Sequence, residues 1–237
     1  VTSREQAIVC GNAWFNAVFA ELDSTIRIDW HVRDGDAVAA GEALCTLCGP
    51  ARALLSGERT ALNFLQTLSA TATLARRYAD TVSGLPTRIL DTRKTLPGLR
   101  NAQKYAVRTG GCSNHRHGLY DAYLIKENHI AAAGSITKAV MRARRNNPAV
   151  LLEVEVENQT QLEEALQAGA DRLLLDNHTL GALKKAVDTV AGRVELEASG
   201  NVTLDNVRDI ALTGVDFIST GSLTKNIKAI DLSMIFE

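Results

Sequence analysis

No stretch of the 237 residues is apolar for long enough to cross a bilayer, and the opening VTSREQ has neither the charged nor the apolar region of a secretory signal. A cytoplasmic protein is expected. There is no charge imbalance either: 26 basic against 27 acidic residues give a formal net charge of -1. Nothing global therefore draws the chain to nucleic acid or to an anionic membrane, and any charged site must be built locally. The C-x-x-C of CTLC has no second cysteine pair and no spaced histidine pair beside it. Cys10, Cys45, Cys48 and Cys112 thus fall short of a zinc set, and strand alternation would put Cys45 and Cys48 on opposite faces. Structural thiols are expected. Also missing are G-x-x-x-x-G-K-[ST] and G-x-G-x-x-G, which disfavours a P-loop NTPase and a Rossmann dehydrogenase.

What is present is a chain of ordinary composition, 46% hydrophobic and 22% charged, able to form one large domain or two unequal ones. It begins at Val1 and enters the apolar AIVCG almost at once, so an upstream segment is expected. The first part reads as a small α+β unit: AIVCG as a strand, NAWFNAVFAEL as an amphipathic helix with Asn12 as its cap, and TIRIDWHV as an alternating strand. The segment VRDGDAVAAGEALCTLCG, punctuated by Asp34-Gly35 and Gly41, resembles the turn pattern of biotinyl and lipoyl carrier domains, without the lysine those carriers display. A long helix is predicted from Ser56 through SGERTALNFLQTLSATATLARRYADTV, with Leu62, Leu65, Leu68, Ala72 and Tyr78 near one face. If Ser56 is its N-cap, Arg59 lies in the first turn, where the helix dipole disfavours a cation. Arg59 is then either a solvated side chain or a hook for an anion.

After Gly84 short apolar runs (RILDTRK, AYLIKEN, VLLEVEVEN, RLLLDN, VELEASGN, DFISTGS) alternate with amphipathic stretches such as TQLEEALQAGA. That rhythm indicates βα units and a parallel sheet, and the apolar runs suggest strands buried on both faces. Ligands sit at the carboxyl ends of such strands. There the sequence places Asp91, Arg93 and Lys94; Lys126, Glu127 and Asn128; Glu153, Glu155 and Glu157; Asp176 and Asn177; Ser199, Gly200 and Asn201; Ser219, Gly221 and Ser222.

These ends have two characters. SGN and STGS expose backbone N–H groups before a helix, a way of holding phosphate. Glu155 and Asp176, ending consecutive runs, suit Mg²⁺ or ribose hydroxyls. Arg93, Lys94, His115, Arg116 and Lys126, with Lys104 and Arg108 on the helix between, suit a substrate bearing more than one carboxylate or phosphate. A cationic end for a polycarboxylate beside an acidic, phosphate-cradling end describes a transfer reaction.

The ordered motifs SGERTALNFLQ, LDTRKTLPGLR, GGCSNHRHGLYDAYLIKENHI, EVEVEN, AGADRLLLDN, EASGN and DFISTGSLTKNIKAIDLSM resemble the quinolinate phosphoribosyltransferase family over nearly the whole chain. The resemblance implies an α/β fold: an open seven-stranded barrel in residues 71–223, an N-terminal α/β sandwich in residues 1–70, and a tail, 224–237, returning to that sandwich. It implies that phosphoribosyl pyrophosphate (PRPP) and quinolinate are the substrates and Mg²⁺ the cofactor. The implied products are nicotinic acid mononucleotide, pyrophosphate and CO₂. Arg59, Arg93, Lys94, His115, Arg116 and Lys126 match the quinolinate side, with Arg59 reaching a neighbour's active site in a homodimer. Glu155, Asp176, Ser199, Gly200, Asn201, Gly221 and Ser222 match the PRPP side, Glu155 and Asp176 being closest to the metal; Lys94, Lys126, Glu155 and Asp176 are the catalytic candidates. Two other classes stay open at this level: a related phosphoribosyltransferase for another acid, and a Schiff-base aldolase using Lys126 or Lys94. A carrier module is a third, more distant one.

Overall fold

The structure is a computed structural model in which residues 1–236 are described. In chain order its elements are β1 (Thr2–Ser3), β2 (Ala7–Ile8), α1 (Asn12–Leu22), β3 (Arg27–Trp30), β4 (Ala37–Val38), β5 (Cys45–Cys48) and α2 (Ala51–Thr81). There follow β6 (Arg88–Leu90), α3 (Arg100–Thr109), β7 (Tyr123–Ile125), α4 (Glu127–Ala133), α5 (Ile136–Asn146), β8 (Leu152–Val156) and α6 (Gln159–Gln167). The chain continues through β9 (Arg172–Asp176), α7 (Leu180–Val190), β10 (Glu195–Ser199), α8 (Val207–Ala211), β11 (Phe217–Ser219), α9 (Ser222–Lys225) and β12 (Leu232–Ser233).

The chain divides into two compact units. The first comprises Val1–Arg77, Thr95–Cys112 and the stretch from Leu223 onward. Compactness thus draws the division differently from a single cut after residue 70, because α2 is continuous to Thr81 and α3 groups with the first unit. Three antiparallel ribbons, β1–β12, β2–β4 and β3–β5, pack on α1 and α2 around Phe15, Phe19, Leu62 and Leu65. Leu62, Leu65, Leu68, Ala72 and Tyr78 are all buried, as the helical spacing predicts. The β1–β12 pairing and the bond from Ile230 N to Gln66 O hold the tail in this unit; residue 237 of the expected tail lies outside the described residues. Cys45 is buried and Cys48 exposed, on the two sides of β5.

Two expectations about helix starts fail here. α2 begins at Ala51, directly after Pro50, whose carbonyl accepts from Ala53 N and Leu54 N; Ser56 lies inside the helix with its hydroxyl donating to Arg52 O at 2.8 Å. Proline is well suited to a helix entrance and outcompetes Ser56 further along the chain. Arg59 is therefore well inside the helix, beyond the reach of the terminal dipole, and exposed. Nor does Asn12 cap α1. The Asp34 carboxylate accepts from Gly11 N (3.0 Å) and Asn12 N (3.1 Å), so the cap comes from the Asp34-Gly35 turn.

The second unit, Tyr78–Lys94 with Ser113–Ser222, holds a six-stranded parallel sheet in the order β6-β11-β10-β9-β8-β7. That order is the chain order closed on itself, with β11 returning to β6 and the ring open only between β6 and β7. At the opening, Ser113 forms an isolated parallel bridge with Leu90, so the expected seventh strand is reduced to one residue. Side-chain caps close the helix starts: Ser135 on α5, after the α4–α5 turn, and Asn158 on α6 and Thr179 on α7, in βα turns, each accept from a backbone N–H in the first turn. Asp171 and Asp216, at the ends of the αβ turns, accept from Leu152 N and Leu196 N and so fix the starts of neighbouring strands.

The strands are not apolar on both faces. Register places Glu153 opposite Arg172, Glu155 and Glu197 opposite Leu174, and Ser199 opposite Asp176, all on one face. Leu152, Val154, Val156, Leu173, Leu175, Leu196 and Ala198 form the other, buried face. The E-x-E patterns of β8 and β10 are alternation, with charge on the face that holds the site.

Candidate active site

At the carboxyl ends of the strands, Lys126 Nζ lies 2.5 Å from Glu155 Oε2, joining the residue after β7 to the inner face of β8. Burial raises the Glu155 pKa above the ordinary carboxylate value; Lys126 pulls it down and the Asp176 charge pushes it up again. The two carboxylates expected to act together are thus electrostatically in touch. Asp176 is anchored by its neighbour: Asn177 Nδ2 donates to Asp176 Oδ2 (2.8 Å), Asn177 Oδ1 accepts from Asn201 Nδ2 (3.1 Å), and Asn177 N donates to Ser199 O (2.9 Å). Asn177 (φ 53°), Gly200 (φ 97°) and Asn201 (φ 51°) are all left-handed, a strained set at two adjoining strand ends of the kind found at functional sites. A Cβ on Gly200 would sit 2.2 Å from Asn177 Oδ1 and 2.9 Å from Asn177 N, so only glycine lets these two turns approach. On the next strand, Ser222 N donates to Thr220 Oγ1, and Gly221 packs against Lys94, whose Cδ is 3.1 Å from where a Cβ would be.

The cationic group is arranged at two depths. Arg93 and Lys94 follow β6 at the mouth. Arg116 donates from Nη1 to Ala122 O (3.0 Å), just ahead of β7, so its guanidinium reaches toward the floor. Burial lowers the Arg116 pKa and the Arg93 charge lowers it further, which places the two guanidinium groups within electrostatic range. A cavity of about 260 Å³ is lined by Asn114, His115, Arg116, Asp121, Leu151 and Arg172.

Two of the strand-end residues, Asp91 and Glu153, do not face the mouth. Asp91 is wholly buried, and its carboxylate accepts from His115 N (2.9 Å) and Asn114 Nδ2 (2.6 Å), so it pins the 114–116 segment. Glu153 lies near the start of β8, fully buried, whereas Glu157 directly follows the strand, exposed, as the reading placed it. His115 is inside the sheet's polar face: Nε2 is 3.0 Å from Glu153 Oε2 and 3.3 Å from Glu197 Oε2, while Nδ1 accepts from Arg116 N at 2.7 Å. Burial would lower the His115 pKa, but the two carboxylates push it up to about 9. The Arg116 N–H works the other way, since a protonated Nδ1 would face that donor. Burial and the Glu197 charge raise Glu153, whereas His115, the Ser219 hydroxyl and Arg172 together hold Glu197 low against its own burial. Glu197 and Arg172, 3.8 Å apart, went unnoticed in the sequence; the repeated E-x-E of β8 and β10 was the available signal. Lys104, expected on this side, is fully buried on α3 in the first unit, the unit that also carries Arg59.

Family comparison agrees with this geometry. Residues 1–69 match the model for the N-terminal domain of quinolinate phosphoribosyl transferase and residues 71–235 that for its C-terminal domain. The chain belongs to the quinolinate phosphoribosyltransferase family. It is 43% identical over 235 residues to the probable nicotinate-nucleotide pyrophosphorylase [carboxylating] of Bacillus subtilis, covering 99% of this chain and 81% of that one. To the protein of the same name from Synechocystis it is 42% identical, over 98% and 80% of the two chains. Among solved structures, nicotinate-nucleotide pyrophosphorylase from Francisella tularensis is 49% identical with a TM-score of 0.96, over 98% of this chain and 83% of that one. NadC from Streptococcus pyogenes is 39% identical with a TM-score of 0.95, over 99% and 84%. Membership in the quinolinate phosphoribosyltransferase family settles the enzyme class as a phosphoribosyltransferase of NAD biosynthesis and retires the aldolase reading; the match of residues 1–69 retires the carrier module.

Proposed function

We propose that this quinolinate phosphoribosyltransferase divides its site at the Lys126–Glu155 pair, quinolinate lying on the cationic side and PRPP on the acidic side. That pair is the observation that carries the reading, because it is where the two charge fields meet. Arg93, Lys94, Arg116 and Lys126, with His115 beside them, take the two carboxylates of quinolinate, guanidinium forks matching carboxylates better than point charges do. Arg59, exposed on α2, extends this side in a neighbouring copy of a homodimer. Glu155 and Asp176 orient the ribose, the left-handed turn at Gly200 and Asn201, with Gly221, supplies backbone N–H groups to phosphate oxygens, and Ser199 and Ser222 add their hydroxyls.

The donor set also fits a divalent cation. The Asp176 charge raises the proton affinity of Glu155, a repulsion that bound Mg²⁺ would relieve, and hard carboxylate oxygens are its preferred ligands. When bound, Mg²⁺ neutralises the charge of the pyrophosphate. The chain's own part is electrostatic: Lys94 and Lys126 face the leaving pyrophosphate, and Asp176 and Glu155 face the ribose as its C1 gains positive charge. The quinolinate nitrogen forms the new bond to C1 as the bond from C1 to the pyrophosphate oxygen breaks, and pyrophosphate leaves intact. The quaternised ring then accepts the electron pair released when the adjacent carboxylate leaves as CO₂, and that ring carbon takes up a proton. Arg93 and Arg116 hold the ring still throughout. A cytoplasmic setting agrees with the absence, among the described residues, of any helix long and apolar enough to cross a membrane.

The test offers quinolinate or nicotinate separately, with Mg²⁺ and PRPP, and follows CO₂ and mononucleotide. Equimolar CO₂ and mononucleotide from quinolinate alone is expected; mononucleotide from nicotinate would mean that the cations serve another acid. For the dimer, mixing inactive Arg59→Ala and Asp176→Ala chains should restore activity through hybrid sites, and no recovery in verified hybrids would exclude a shared site.

A further inference from the structure

Lys126 carries one half of the pair at the centre of the site, yet it stands where the sheet ladder has already ended. The last β7–β8 pairing is Ile125 with Val154, and β7 is an edge strand beside the opening of the ring. The first turn of α4 holds the Lys126 backbone instead. Its carbonyl accepts from His129 N (2.8 Å) and Ile130 N (3.0 Å), and its N–H donates to His129 Nδ1 at 3.0 Å. His129 is the third residue of α4, where a capping box ordinarily places a glutamate or glutamine side chain to accept from the N-cap N–H. An imidazole can accept there only through a bare nitrogen, so Nδ1 carries no proton and Nε2 does. None of the seven residues of α4 is buried, so packing of the helix does little to fix where it starts, and the hydrogen bonds of its first turn decide. That turn also bears on the partner carboxylate: burial is the main cause of the raised Glu155 pKa, and after Lys126 and Asp176 the Glu127 charge adds to it. His129 is exposed, so replacing it opens no cavity.

We propose that His129 is a positioning residue for Lys126: its Nδ1 locks the backbone from which the lysine side chain reaches Glu155. The inference rests on reading Lys126–Glu155 as the pair at which the quinolinate and PRPP sides meet. A lysine stem has four rotatable bonds, and an ammonium on it keeps one place only when its backbone and its tip are both held. Glu155 holds the tip and His129 the backbone.

The experiment is steady-state kinetics of the full chain with Mg²⁺, supported by thermal melts. His129→Leu removes the acceptor, whereas His129→Gln restores a neutral one of the kind a capping box uses. The leucine variant should lose roughly tenfold in kcat/KM for quinolinate through misplacement of Lys126, and the glutamine variant should stay within about twofold of wild type. In a Lys126→Ala background, His129→Leu should add nothing further. Wild-type kinetics in His129→Leu, with or without a lower Tm, would overturn the proposal, because the imidazole would then be a helix cap and nothing more. Equal losses in the leucine and glutamine variants, or losses that add to those of Lys126→Ala, would overturn it as well, since His129 would then act on its own account. Wild-type kinetics in Lys126→Ala alone would sink the reading of the central pair, a failure distinct from that of the link to His129, and the proposal with it. A second measurement needs no variant: histidine ¹⁵N spectra of the wild-type enzyme should show His129 with a bare Nδ1 and a protonated Nε2. The opposite tautomer contradicts the positioning role.

Discussion

Replacing Gly200 by alanine tests whether the two left-handed turns at β9 and β10 are built to meet. Alanine at φ 97° carries a backbone penalty of about 1–2 kcal/mol. The added Cβ falls 2.2 Å from Asn177 Oδ1, 2.7 Å from Asn177 Cγ and 2.9 Å from Asn177 N. The Asn177 side chain can swing away at the cost of its bonds to Asn201 and Asp176, about 1 kcal/mol. The backbone nitrogen cannot, because it donates to Ser199 O. A total near 2–4 kcal/mol follows, which for a chain of this size lowers Tm by roughly 5–15 °C. Asp176 loses its anchor at the same time, so the PRPP KM should rise while the quinolinate KM holds. Gly221→Ala is the control: the nearest atom to its new Cβ is Lys94 Cδ at 3.1 Å, the middle of a flexible side chain. Its cost should stay within about 0.5 kcal/mol. Calorimetry and kinetics on both variants decide. Equal melting temperatures for Gly200→Ala and wild type would refute the close-approach argument, and an unchanged PRPP KM in a destabilised variant would separate the turn from substrate binding.

Arg93→Ala should weaken quinolinate binding and Asp176→Ala the PRPP side; calorimetric titration that finds both substrates equally affected in both variants would contradict the division at Lys126–Glu155. Of the four thiols only Cys48 is exposed, so Ellman's reagent at mild pH should modify one thiol per native chain and the rest only on unfolding; a second fast thiol would place Cys10, Cys45 or Cys112 at the surface. Burial pushes both Cys10 and Cys45 from the ordinary 9.0 up to about 12. Between those values the unfolded chain gives up protons that the folded chain keeps, so stability should fall as pH rises above about 9. A urea midpoint that rises between pH 9 and 11 would have the wrong sign.

The sequence by itself determined the parts of this protein that rest on local signals. The rhythm of apolar runs and amphipathic stretches dictates a parallel sheet, and the polar residues closing each run dictate where its chemistry lies, because strand ends and helix starts follow from neighbours a few residues away. Lys126, Glu155, Asp176 and the turns at Gly200 and Gly221 were legible in that way. The start of α2 is read at Ser56 from its capping character, whereas Pro50 opens the helix, and the dipole argument for Arg59 falls with that reading. Only the tertiary structure decided which charges are paired and buried. Asp91 turned from a mouth residue into the anchor of the 114–116 segment, and His115, Glu153 and Glu197 came together from a loop and two non-adjacent strands. No local pattern encodes that meeting. It follows from strand order and register, which are settled by packing the whole sheet.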